Sequence, residues 1–254
     1  MLALPAMTML ALYLLLAEPW LGRRAHRRLL AALDAGELDA RRRFYRQWIW
    51  QGWALLLVTL GVTLGLAHWT PARLGLRWPH LSAEADGMLG GVLGGMMLAL
   101  LGGVVIGRVA SRRKRRPSPG AARPQHIAGG SQVLRMLPST RSERWHFAAL
   151  AVTAGVTEEV IWRGFGLGLL FLLLPHAPVA AVIVLAALAF GWAHLYQGWT
   201  GMLATGVLGG LFAWLYWSTG SLLLPILLHV LVDLRAVWMR TPKEHAGNAG
   251  SIRP

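Results

Sequence analysis

Cysteine is absent from the 254 residues, which removes disulfides, thiolate metal sites, iron–sulfur clusters and cysteine nucleophiles together. Acidic residues are scarce: 11 Asp and Glu stand against 25 Lys and Arg, leaving a formal charge of +14. Charged residues make up only 14% of the chain and hydrophobic ones 55%, with a mean hydropathy of +0.48. That balance argues against soluble domains and for a polytopic helical membrane protein. The patterns His-Glu-x-x-His, Gly-x-Ser-x-Gly and Gly-x-Gly-Asp are also missing, so no standard zinc, serine or aspartyl hydrolase signature is encoded.

What is present follows membrane logic. Tryptophans such as Trp48, Trp50, Trp145, Trp199 and Trp238 crowd the ends of apolar runs, where an amphipathic ring sits among head groups. Runs long enough to cross a bilayer fall at residues 2–17, 48–67, 88–107, 145–174, 179–194, 200–217 and 222–239. The expected fold is therefore an all-α transmembrane bundle of about seven spans. The first run is short but lacks a basic n-region ahead of it, so it reads as a retained helix rather than a cleaved leader. Lys and Arg collect after the first run and between residues 108 and 144. The positive-inside rule then places the amino terminus outside and the carboxy terminus in the cytoplasm. A run of 30 residues at 145–174, with Arg163 and Gly164 in its middle, is too long for one straight crossing, and a tilted, kinked or broken helix is expected there.

Residues 1–107 form an N-terminal three-span region and 145–240 a four-span core that holds every candidate site residue. Between them, 108–144 reads as a basic cytosolic linker rich in Pro, Gly and Ser, and 241–254 as a disordered tail. No aromatic residues interleave the basic run Arg112-Arg113-Lys114-Arg115-Arg116, so membrane lipid rather than nucleic acid is its expected partner. Gly90, Gly91, Gly94 and Gly95, and later Gly206 and Gly210, are spaced as helix-packing seams.

Five ionisable residues sit where solubility needs none: Glu158, Glu159, His194, His229 and Asp233. A carboxylate at bilayer depth costs roughly 2.5–3.5 kcal/mol even on the gentler insertion scales, so an intramembrane acid is a functional candidate by default. Glu159 and Arg163 are four apart and share a helix face, as do His229 and Asp233, whereas Glu158 points about 100° away from its neighbour. The two acids are thus expected to do different work. The alternative is that Glu159–Arg163 pins a helix bend and Glu158 lines a water pocket. All five should converge on one polar cavity, with the two histidines no more than about 12 Å apart if they are to serve one bond.

Glu158-Glu159-x-x-x-Arg163, Phe190-x-x-x-His194 and His229-x-x-x-Asp233, in this order on successive spans, resemble the CPBP family, also called Abi or CAAX-protease-like intramembrane proteases. The resemblance covers about residues 145–239, while the first 140 carry no motif. It implies an intramembrane endopeptidase acting on a membrane-associated protein or peptide, integral to a membrane such as the bacterial inner membrane. By that analogy Glu158 activates water with help from His194, Glu159 orients its neighbours while paired to Arg163, Phe190 supports, and His229 with residue 233 stabilises the oxyanion. Some relatives carry Asn at the last position, where an amide can donate; an ionised Asp233 only accepts, so it orients His229 or stays protonated. No cofactor is favoured. If a metal is used, Glu158, Glu159, His194 and His229 are a credible zinc set with Asp233 behind them. Two other functions stay open, a non-catalytic immunity or scaffold protein of the same fold and a proton-coupled transporter, although no inverted repeat supports the latter.

Overall fold

Hydrocarbon leaves backbone N–H and C=O groups no partner but each other, and this chain meets that constraint with helices alone. In the computed structural model, described residues are 2–80 and 133–238 together with the glycines at 87, 90, 91, 94 and 95, and none of them forms a strand. The expected third span, much of the basic linker and the tail from 239 onward lie outside the described residues.

Helix α1 runs over Ala3–Asp34, 32 residues, and α2 over Ala40–Leu66, 27 residues. Both outrun the apolar stretches expected at 2–17 and 48–67, because each continues as a basic amphipathic helix past the greasy part. The polar half of α1 shows why: Gly22, Ala25, His26 and Leu29 are buried while Arg23, Arg24, Arg27 and Arg28 face outward, a one-sided pattern that keeps the helix going. A five-residue turn joins the pair, with Gly36 at φ +75° and ion pairs Arg42–Asp39 and Arg43–Glu37 beside it.

Helix α3 occupies 141–173. It opens as an α-helix over Arg141–Glu158, widens to π-type winding over Glu159–Leu167, and closes as α-helix over Gly168–Leu173. The irregularity expected in this over-long run is thus a nine-residue change of winding, not a break, and it begins at the second acidic residue. Such segments cluster at functional sites. Helices α4 (Val179–Ala193), α5 (Gly198–Thr219) and α6 (Leu223–Leu234) follow, and a single tight 3₁₀ turn continues α6 over Arg235–Trp238.

Three helical stretches, Ala3–Asp34, Ala40–Leu66 and Leu195–Thr219, are long and apolar enough to cross a membrane, and Val179–Ala193 is a shorter apolar helix. The count of seven crossings is therefore not established, though the chain is an integral membrane protein by these helices. Glycine sets the closest approaches. A Cβ on Gly191 would lie 2.7 Å from the Met202 carbonyl and 3.1 Å from Gly206 Cα, so α4 and α5 touch backbone to backbone, as the seam at Gly206 and Gly210 anticipates. Gly155 gives α6 the same access to α3 at Val230, and Gly52 seats α2 against Thr153 and Thr157 of α3. Among the described residues nothing lies within 4 Å of a Cβ on Gly90, Gly91, Gly94 or Gly95; the rest of the span expected there lies outside the described residues.

Candidate functional site

Counting from the α3–α4 turn explains how the motifs meet. Glu158 lies fifteen residues before Leu173, the last residue of α3, and His194 lies fifteen after Val179, the first of α4. The shortness of α4, only 15 residues, is what lets its last turn meet the middle of α3. Glu158 Oε2 stands 3.8 Å from His194 Nε2.

A sealed base underlies this pair. Arg163 Nη1 donates to Glu159 Oε1 at 2.8 Å, and its Nη2 reaches the Gly209 carbonyl at 3.2 Å. Gly209 is required for that reach, since a Cβ there would meet the Phe190 ring at 2.6 Å and Arg163 Nη2 at 3.3 Å. The guanidinium also lies over the Phe190 ring, 4.1 Å from its centroid, a cation–π contact strengthened by exclusion of water. His229 Nδ1 sits 2.7 Å from the same Glu159 oxygen. Because that oxygen belongs to the carboxylate paired with Arg163, the imidazole supplies the hydrogen from Nδ1.

Exposure separates base from lip. Side chains of Glu159 and Arg163 are 0% and 2% exposed, that of His229 8%, whereas His194, Glu158 and Asp233 rise to 14%, 29% and 37%. The two neighbouring acids are therefore placed in different surroundings, as their 100° offset predicts. His194 Nδ1 lies 2.8 Å from the Phe190 carbonyl, which can only accept, so Nδ1 carries the hydrogen and a neutral ring leaves Nε2 bare toward Glu158. Glu158 Oε2 is buried and has no hydrogen-bond partner. Asp233 Oδ2 is 3.7 Å from His229 Nε2, too far for a direct hydrogen bond. Asp233 thus does not orient His229 by such a bond; Glu159 holds it by the other nitrogen. Both imidazoles abut Phe190, at 4.7 and 6.4 Å between ring centroids, which keeps them inside the about 12 Å limit for acting together.

Glu158 and Glu159 from the middle of α3, His194 at the end of α4, and His229 with Asp233 from α6 are gathered with Arg163 and Phe190 into one cluster. Two cavities lie elsewhere: one of about 400 Å³ opens between Arg73, Phe171, Tyr216 and Trp217, and one of about 100 Å³ between Asp39, Arg42, Arg46 and His146. Neither touches a member of the cluster.

Two contributors escaped the sequence. Glu18 of α1 accepts from Gln51 Nε2 at 3.1 and 3.3 Å. Its signal was a lone acid at the end of an apolar run. Tyr196, two residues past the second motif, stacks on His194 at 5.8 Å between centroids. Among the described residues no group of three or more His, Asp or Glu is arranged to hold a metal ion. Of the zinc set Glu158, Glu159, His194 and His229, Glu159 Oε1 is paired with Arg163 and with His229 Nδ1, while Glu158 Oε2 and Glu159 Oε2 have no hydrogen-bond partner.

Residues 140–235 match the family model described as Rce1-like, type II CAAX prenyl endopeptidase Rce1-like. No curated protein and no solved structure matches the chain.

Proposed function

We propose, from the match of residues 140–235 to an Rce1-like family model, that this chain is a membrane-embedded endopeptidase of the CPBP (Abi) CAAX-protease type using glutamate-activated water. Its substrate is a protein or peptide held at the membrane. The observation that carries this reading is the unpartnered, buried Oε2 of Glu158 facing the bare Nε2 of His194 across 3.8 Å. A gap too long for a hydrogen bond between two acceptors invites a molecule that donates to both, and water does so.

Glu158 takes a proton from that water as its oxygen adds to the scissile carbonyl carbon. The carbonyl π electrons move to oxygen, giving a tetrahedral oxyanion. On collapse the C–N bond breaks and the proton held by Glu158, passed directly or through His194, goes to the departing nitrogen. Glu159 stays paired to Arg163 and fixes the ring of His229, whose Nε2 can donate to the oxyanion when the ring is cationic. Phe190 supports both the guanidinium and the two imidazoles. No metal is assigned a step, because among the described residues no group of three or more His, Asp or Glu is arranged to hold one.

The test is cleavage by full-length protein of an internally quenched CAAX-type peptide, offered farnesylated and unprenylated. Glu158→Gln and His194→Ala should each abolish turnover, on the order of 10²–10⁴-fold for losing general-base assistance, while keeping the wild-type melting temperature. Turnover that survives in a well-folded Glu158→Gln ends the glutamate-activated reading, and a well-folded wild type that cleaves neither peptide leaves a scaffold or immunity role. Proton flux in liposomes would instead mark a transporter, and loss of turnover with chelator, alongside bound zinc by elemental analysis, would replace the metal-free mechanism.

A further inference from the structure

Hydrolysis by this route makes an oxyanion, and oxyanions are stabilised by hydrogen-bond donors already in position. The cluster is short of them. Glu158 and Asp233 as carboxylates only accept. His194 commits its Nδ1 hydrogen to the Phe190 carbonyl and His229 commits its own to Glu159, so neither neutral ring keeps a second N–H. Arg163 is sealed behind Phe190, bound to Glu159 and the Gly209 carbonyl.

Tyr196 has what is missing. Its hydroxyl oxygen accepts from Gln197 Nε2 at 3.2 Å, and Gln197 Oε1 in turn accepts from Thr205 Oγ1 at 3.0 Å. The hydroxyl hydrogen is donated to no described residue. The ring is held on both sides, 5.8 Å from His194 and 5.8 Å from His26 of α1 between centroids, and it packs beside Gly22. The ring contact with His194, whose Nε2 stands 3.8 Å from Glu158 Oε2, puts Tyr196 beside the same lip. A chain of donors running from Thr205 through Gln197 polarises the O–H toward whatever sits beyond it.

We propose that Tyr196 donates its hydroxyl hydrogen to the oxyanion formed at the scissile carbonyl, with Gln197 and Thr205 as positioning residues and α1 holding the ring. This rests on the hydrolytic reading above. It gives the site a neutral donor that works without a charged His229, and it makes the first helix part of the catalytic assembly.

Tyr196→Phe keeps the ring between the two imidazoles and removes only the hydroxyl. In the purified full chain acting on whichever quenched CAAX-type peptide is cleaved, farnesylated or not, kcat should fall about 10²-fold, the typical effect of deleting one oxyanion donor, with KM nearly unchanged. Gln197→Ala should lower kcat less and add nothing in the Tyr196→Phe background, because it acts through the same hydroxyl; it carries the test alone if Tyr196→Phe does not fold. Full kcat in Tyr196→Phe beside an inactive Glu158→Gln overturns this role and leaves the hydrolytic reading intact. A raised KM with kcat preserved makes Tyr196 a binding contact and likewise overturns it. Full activity in Glu158→Gln removes both.

Discussion

Arg163 binds three different partners with one planar group, and no other side chain could do so. Its two terminal nitrogens serve the Glu159 carboxylate and the Gly209 carbonyl while its face lies on Phe190. A lysine has one ammonium point and no face to stack. Glu159 is fully buried, so Arg163→Ala leaves a carboxylate with no countercharge in a dry site. Removing one member of such a pair costs about 3–5 kcal/mol, and unfolding of the purified protein in detergent should show a loss of that order. Double replacement by Arg163→Ala and Glu159→Ala should recover part of it. A loss under about 1 kcal/mol, the worth of an exposed pair, would mean that Glu159 is not sealed as described. At this scale the sequence was legible where partners are neighbours on one helix: the i,i+4 spacing of Glu159 with Arg163 needs only helical geometry to be read. The pairing of Glu158 with His194 and the capture of His229 by Glu159 span 36 and 70 residues. Spacing alone could say that these groups belong together, not which atom meets which.

Helix α3 begins under a lock that the sequence does spell. Thr140 accepts from the Glu143 backbone and Glu143 reaches back to the Thr140 backbone, a capping box of the Ser/Thr-x-x-Glu form. Glu143 gathers more than a cap requires: it also accepts from the Ser139 backbone at 2.7 Å and hydroxyl at 2.8 Å, with Arg41 of α2 at 3.8 Å. Burial pushes its carboxyl upward, but these donors and the nearby cation outweigh burial and hold it below the usual value of 4.5. Because the folded value lies below the unfolded one, the contribution to stability is complete above about pH 4.5 and is lost as pH falls through the lower folded value. The melting temperature of the wild type should therefore approach that of Glu143→Gln as pH is lowered from 6 toward 3, the variant lying lower at pH 6. A constant difference across that range would show that Glu143 does not titrate with folding. The middle of the same helix was only half legible. Its excess length foretold an irregularity, but whether the helix would kink, break or rewind depends on what packs around Glu159–Leu167. Leu74 and Leu222 press on Gly164 there, and both come from loops far away in the chain.

The whole molecule joins its silent front half to the half that carries the motifs. One hydrophobic cluster holds Met7, Leu10, Leu14, Trp69 and Leu74 together with Ile161, Phe165 and Leu169, so neither side has a complete core alone. Trp192 donates to the Leu15 carbonyl at 2.8 Å and Trp53 to Thr153 Oγ1 at 3.2 Å. Arg135 pairs with Asp34 at 2.6 Å, and the Arg41 side chain donates to the Arg135 carbonyl at 2.8 Å, tying the start of the back half to the α1–α2 turn. None of this shows in a pattern of short motifs, because aliphatic contacts and indole hydrogen bonds have no signature along the chain; only the presence of two greasy helices could be read. The family match at residues 140–235 therefore covers only part of a shared core. Cutting the chain down to those residues strips the apolar partners from Ile161, Phe165 and Leu169 and the seat of Tyr196 from Gly22 and His26. The fragment should fail to give a monodisperse, active peak in detergent, whereas the full chain nicked by a protease site inserted in the basic segment 111–132 should keep both pieces together and retain its turnover. Activity in the isolated 140–235 fragment would show that α1 and α2 are accessories, and separation of the nicked pieces would show that the shared core is too weak to hold the site.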